Sequence, residues 1–137
     1  MNSKYIVLAL IAVGLLVWIW QWTRTRATQV VHVKVPQLSD LATRGKAAFD
    51  ANCATCHGVN ASGTNKGPPL VHEIYNPGHH ADGAFYLAAK LGVRQHHWSF
   101  GNMPPQPQVT QEQIAGIVRY VRELQAANGI TSGPHRM

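Results

Sequence analysis

Cys53-Ala54-Thr55-Cys56-His57 holds both cysteines of the 137-residue chain. The C-x-x-C-H spacing is that of covalent c-type haem attachment. On one helical turn Cys53 and Cys56 stand three residues apart and His57 four from Cys53, so both sulfurs and the imidazole face one flat ligand. Two thioethers would pin the rim of a macrocycle, and His57 would take its iron. Two rival chemistries use the same pair of cysteines: a thioredoxin-like redox couple, which wants a βαβ surround, and half of a four-ligand zinc site. No βαβ pattern and no zinc-finger spacing is visible in the sequence, although histidines remain as zinc donors. Haem is the reading carried forward.

Working outward, helix signals bracket the motif. Ser39 or Asp40 can cap a helix running to Asn52, with Leu41, Ala48 and Phe49 as its apolar positions. Asp82 can cap a second, with Phe85, Leu87, Ala88 and Leu91 as the buried side and Gly92 as its end. Thr110 and Gln113 form a capping-box pattern ahead of Ile114, Ile117, Val118, Val121 and Leu124, and Gly129 terminates that helix. Apart from the terminal Met1 and Met137, Met103 is the only thioether. It follows Gly101 and precedes Pro104 and Pro105, which stiffen the loop. Opposite His57 it is the candidate sulfur ligand of the iron, and a neutral thioether there raises the reduction potential. The alternative is a methionine that fills a gap in the loop.

From about Leu38 to Gly129 the chain resembles the class I cytochromes c, particularly the short bacterial members. Beside C-x-x-C-H, Gly45 and Phe49 fall where the first helix of that family has its small and aromatic contact residues. Gly67-Pro68-Pro69-Leu70 is similar to the family's Gly-Pro-x-Leu stretch, and Trp98-Ser99-Phe100-Gly101-Asn102-Met103-Pro104-Pro105 to its ligand loop. The resemblance implies an all-α fold of three to four helices around one haem c bound through Cys53 and Cys56. It also implies that the Pro68 carbonyl takes the Nδ1 hydrogen of His57, that Leu70 borders the haem, and that the Trp98 indole donates to a propionate. Tyr120 would cross against the first helix near Gly45 and Phe49. With His57 and Met103 filling both axial positions, one-electron transfer between redox proteins is implied, with no small-molecule substrate and no catalytic residues. A permanent haem subunit of a membrane oxidase or dehydrogenase is the nearest competitor. A thiol oxidoreductase and a ligand-binding haem sensor are more distant ones.

Tyr5 to Trp22 carries no charge, and 18 residues at about 1.5 Å each make roughly 27 Å of helix, just enough to span a bilayer. Trp18, Trp20 and Trp22 crowd its far end, and Arg24 and Arg26 follow. A cleaved signal peptide shares the short charged start and apolar run, but bulky and basic residues follow this run, which favours a retained anchor. The expected organisation is a transmembrane signal-anchor over 1–24, an extended tether over 25–39, a cytochrome domain over 40–130 and a tail over 131–137. Alternation of Val31, Val33 and Val35 with His32 and Lys34 marks the tether as extended chain. Covalent haem attachment in bacterial proteins of this type occurs outside the cytoplasmic membrane, so the resemblance places the domain on the periplasmic or outer side. The flanking charges, Lys4 before the span and Arg24 and Arg26 after it, mildly favour the opposite orientation.

Composition agrees with a folded chain: 45% of residues are hydrophobic and only 13% charged. The formal charge of +6 is concentrated near the N-terminus, because from Pro36 onward eight bases meet six acids. That leaves +2 and no basic cluster, which argues against a nucleic-acid partner. His79-His80, His96-His97 and His72 remain unabsorbed. They offer imidazoles for a second metal or, through His97, a rival to Met103, but polar rings in the loops of a small domain are the commoner explanation. Lys90 and Arg94 are either propionate counter-charges or a solvated face.

Overall fold

The computed structural model describes residues 3–25 and 30–132, with α1 side chains over 4–21. Trp22 and Arg24 as side chains, Arg26, and residues 133–137 of the expected tail lie outside the described residues. Five α-helices follow one another: α1 Ser3–Thr25, α2 Asp40–Asn52, α3 Ala54–His57, α4 Asp82–Leu91 and α5 Gln111–Ala127. Short 3-10 turns lie at Val59–Ala61 and Glu73–Tyr75. No strand occurs among the described residues, only an isolated antiparallel bridge between Val93 and Met103. The fold class is all-α, as expected.

α1 is apolar along its length, and none of its Lys4–Gln21 stretch is buried against the rest of the chain. The core lies instead between α2 and α5, where Phe49, Tyr120, Val121 and Leu124 are fully buried. α2 starts where Ser39 accepts the Ala42 N–H and ends as Cys53 donates to the Phe49 carbonyl. Its buried stripe is Ala42, Gly45, Ala48 and Phe49. Leu41, expected inside, is 40% exposed. Leu41 is the second residue of α2, and because helical side chains lean toward the N-terminus it has no preceding turn of its own helix to cover it. A Cβ at Gly45 would sit 1.8 Å from the Gly116 carbonyl oxygen, so the two helices cross backbone to backbone.

α5 has the expected capping box, with Thr110 and Gln113 exchanging hydrogen bonds, and every apolar position named for it is buried. Tyr120 is buried too. Its ring meets Phe49 edge-on at 5.6 Å, and its hydroxyl donates to Asn60 Oδ1. Burial first, and then the Asp50 charge, push that phenol up to about 12.

α4 departs from expectation at both ends and in its middle, where Leu87, expected inside, is exposed. Ala81, not Asp82, is the N-cap, because the Asp82 carboxylate lies inside the first turn and takes the Arg122 Nε–H at 2.8 Å. Leu91 is exposed at the last position, just before Gly92 (φ 75°) ends the helix.

Thr25, expected to open the tether, still belongs to α1, and the described part of the tether, 30–39, is free of helix and strand but not free of the domain. Val31 and Val33 pack on the core, Val31 N–H donates to the Ser62 carbonyl, and Asn128 binds both the N–H and the carbonyl of Lys34. Chain that looked like spacer from Val31 onward is therefore held on the domain, which shortens the reach of any anchor.

Candidate functional site

The α2–α3 junction carries the motif. Cys53 ends α2 and begins α3, its carbonyl taking the N–H groups of Cys56 (3.1 Å) and His57 (2.9 Å). This tight turn places Cys53 and His57 on the wall of a cavity of about 330 Å³, while Cys56 is exposed and not part of the lining. Burial pushes the Cys53 thiol up to about 11, with the nearby Cys56 adding to the effect.

The loop after the motif fixes the imidazole. His57 Nδ1 stands 2.9 Å from the Pro68 carbonyl oxygen. A carbonyl only accepts, so Nδ1 carries the hydrogen and the Nε2 lone pair is left for a ligand. Burial keeps the His57 pKa below its usual 6.5, against the opposing pull of that hydrogen bond. The loop is itself pinned: Thr64 Oγ1 donates to the Cys56 carbonyl, and Leu70 N–H to Ala61. A Cβ at Gly67 would come within 2.9 Å of the Cys56 carbonyl, so glycine lets this loop press against the haem turn. Leu70 contributes to the lining and gives its own carbonyl to Gln125 at 2.8 Å.

To the same lining α4 supplies Phe85, Leu87 and Ala88, and the loop behind it supplies Trp98 and Met103. Met103 exchanges two 2.9 Å backbone hydrogen bonds with Val93, so the end of α4 clamps the methionine loop. Gly92 permits the approach, since a Cβ there would fall 2.5 Å from the Met103 carbonyl. Thus the structure brings Cys53, His57, Pro68, Leu70, Trp98 and Met103 around one cavity. Lys90 and Arg94 are exposed and do not line it.

The chain's own polar inventory fits a haem. The lining is predominantly apolar, yet Trp98 points a buried Nε1–H that finds no well-formed hydrogen bond among the described residues. A buried donor left in this state costs about 1–3 kcal/mol, so its persistence asks for an acceptor. Its polar neighbour is the Tyr75 hydroxyl, whose pKa is raised by burial and pulled back by the indole.

Sequence reasoning missed several supporting residues. Arg122 donates Nε to Asp82, Nη1 to the Tyr75 carbonyl and to Gln125 Oε1, and Nη2 to the His80 carbonyl, with its guanidinium 5.0 Å from the Phe85 ring. It therefore ties α5 to α4 and to the loop before it. Gln125 is fully buried and donates to the Leu70 and Tyr75 carbonyls. No spacing in the sequence separated these two from ordinary surface residues of a helix. Gly116 was findable, as a glycine within an otherwise regular helical stripe.

Of the pairs of histidines, His72 accepts the Ile74 N–H and packs edge-on against Trp98 at 5.0 Å. His79, His80, His96 and His97 gather at one edge of the cavity, with the last three contributing to its lining.

A family model described as cytochrome c matches residues 42–125, more than half of the chain. No curated protein and no solved structure matches significantly. The chain belongs to the cytochrome c family of haem c electron carriers, with Cys53 and Cys56 as the attachment points of the covalent haem.

Proposed function

We propose that the protein is a membrane-anchored, monohaem carrier of single electrons between redox proteins at the outer face of the cytoplasmic membrane, with His57 and Met103 as the two axial ligands. The observation that supports the axial assignment is that one apolar cavity is lined both by His57, with its Nε2 lone pair available, and by Met103, clamped by Val93. When bound, the haem supplies the reversible ferrous–ferric couple. The chain's own residues set the conditions for it. The Pro68 carbonyl orients His57 and raises its basicity, the apolar walls of α4 exclude water, and the thioether of Met103 favours ferrous iron. Trp98, whose buried indole N–H makes no well-formed hydrogen bond among the described residues, would give that hydrogen to a propionate.

α1 supports the anchor. Lys4–Gln21 is long and apolar enough to cross a bilayer, and the packed segment from Val31 onward holds the domain close to it. Covalent haem attachment outside the membrane sets the proposed orientation. The domains are then an anchor over 1–24, a linker whose second half is part of the folded unit, and the cytochrome domain to about residue 130.

A visible spectrum tests the axial pair. The oxidised protein is expected to show the far-red thioether-to-ferric-iron band, and Met103→Ala to lose it. An unchanged low-spin spectrum in Met103→Ala overturns the assignment and points to His97. Retention in carbonate-washed membranes, with the domain open to protease from the outer side, is expected of the anchor. Release into the soluble fraction defeats it. Native purification without a stable companion is the result expected of a free carrier, and a stoichiometric complex would make the chain a permanent subunit.

A further inference from the structure

Three imidazoles that play no part in the axial pair converge from two loops. His79 and His80 precede α4, and His97 lies in the segment leading to Met103, yet one ring nitrogen from each lies within 4.8 Å of the others. Between His79 and His97 the Nε2 atoms are 3.3 Å apart. Two nitrogens bound to one tetrahedral ion at about 2.0–2.1 Å stand roughly 3.3–3.4 Å from each other, so this pair already spans the edge of such a site.

The third ring is oriented for the same purpose. His80 Nδ1 lies 2.7 Å from the Ile74 carbonyl oxygen, which can only accept, so the hydrogen is on Nδ1 and the lone pair on Nε2. A backbone carbonyl holding the far nitrogen is the usual way in which a ligating histidine is aimed. The loop carrying the pair is held as well. Asn76 Oδ1 accepts the Gly78 and His79 N–H groups, and Arg122 donates to the His80 carbonyl. The rings touch one another at centroid distances of 4.5 Å (His79–His80) and 5.4 Å (His80–His97), and His96 packs on His97 at 4.2 Å. No carboxylate belongs to the group, which disfavours calcium and magnesium and suits borderline ions that prefer imidazole.

We propose that His79, His80 and His97 form a three-imidazole site for a borderline divalent transition-metal ion, Cu2+ or Zn2+, at the rim of the haem cavity. The inference goes beyond electron carriage by the haem and stands on residues other than the axial pair and the attachment cysteines. It also gives His97 a role away from the iron. The competing occupant of the 3.3 Å edge is a single proton shared between His79 and His97, which a metal ion displaces.

The test uses the full-length haem-loaded protein, stripped with a chelator and titrated calorimetrically with ZnCl2 and, separately, CuCl2. One equivalent of at least one ion is expected to bind with micromolar or tighter affinity. The variant His79→Gln, at the member of the trio that does not line the haem cavity, is expected to lose at least about tenfold of it, while keeping the visible spectrum of the parent, which shows that it is folded. His32→Gln and His135→Gln are expected to bind as the parent does. Which of the two ions binds identifies the source, and a copper arm is read by electron paramagnetic resonance as nitrogen coordination. Absence of one-equivalent binding for both ions overturns the proposal and leaves the shared proton, and so does binding that is equally tight in His79→Gln.

Discussion

Replacing Gly45 by alanine adds one methyl group where α2 crosses α5, and the geometry makes the consequence large. The new Cβ would stand 1.8 Å from the Gly116 carbonyl oxygen, 2.1 Å from its carbonyl carbon and 2.8 Å from the Ile117 nitrogen. Carbon–oxygen contacts relax at about 3.3 Å, so the helices must part by on the order of 1 Å or more. Every atom in the way is backbone, so no side chain can swing aside. A gap of about 1 Å forfeits up to roughly half of each dispersion contact across the interface, which here includes Phe49 on Tyr120. Overpacking of this kind costs about 1–3 kcal/mol and sometimes more. Alanine regains about 1 kcal/mol of helix propensity. Because every clashing atom is backbone, the cost lies at the upper end of that range, so a net loss of about 2 kcal/mol is expected, which for a domain of this size lowers Tm by roughly 8–16 °C. Two neighbours calibrate the measurement. At Gly116 the nearest atoms to a Cβ are those of Gly45 at 3.0–3.1 Å and the Leu41 oxygen at 3.4 Å, so Gly116→Ala should cost no more than about 1 kcal/mol. At Gly83 in α4 nothing lies within 4 Å, so Gly83→Ala should stabilise by about 0.5–1 kcal/mol. Thermal unfolding of the haem-loaded variants, followed by circular dichroism, orders the three. If Gly45→Ala melts within a few degrees of the parent, or no lower than Gly116→Ala, the backbone-to-backbone crossing is refuted.

Arg122→Ala strips the hydrogen bonds from the Tyr75 and His80 carbonyls and from Asp82, and denaturant titration should show a loss of about 2–3 kcal/mol. Conservative Arg122→Lys is expected to recover only part of it, because one ammonium cannot serve the same fork. Acid sensitivity should follow Glu123. Burial raises its carboxyl, but hydrogen bonds from the Ser39 hydroxyl and N–H and from Arg119 outweigh this and hold its pKa below 4.5. The folded state therefore binds the proton less readily than the unfolded chain, so this contribution is complete above pH 4.5 and fades as the pH falls below it. In Glu123→Gln the stability-against-pH curve should be flatter over that acid limb; a curve parallel to the parent's would show that the Ser39 contacts are energetically idle. Chain made without haem attachment should be largely unfolded by circular dichroism, since a domain of about 100 residues has a thin core and the macrocycle supplies apolar area it lacks. A cooperative, native-like melt of that chain would contradict this.

Short-range chemistry was legible in the sequence because it depends on spacing along the chain. C-x-x-C-H announced the haem, Thr110 and Gln113 the start of α5, Gly92 the end of α4, and the apolar run of α1 its length. Tertiary structure decided what depends on chain segments far apart meeting. Leu41 is left exposed and Ala42 buried because α5 decides which part of the α2 surface is covered. Asp82 serves Arg122 instead of its own helix because α5 delivers a guanidinium to it. Val31 and Val33 belong to the domain because Asn128, at the far end of α5, fastens Lys34. His79 and His97 are 18 positions apart and become neighbours only when the two loops beside α4 fold onto one rim of the cavity. A local pattern fixes a turn or a ligand spacing through covalent geometry, whereas which face of a helix is buried depends on a partner surface that the local pattern does not contain.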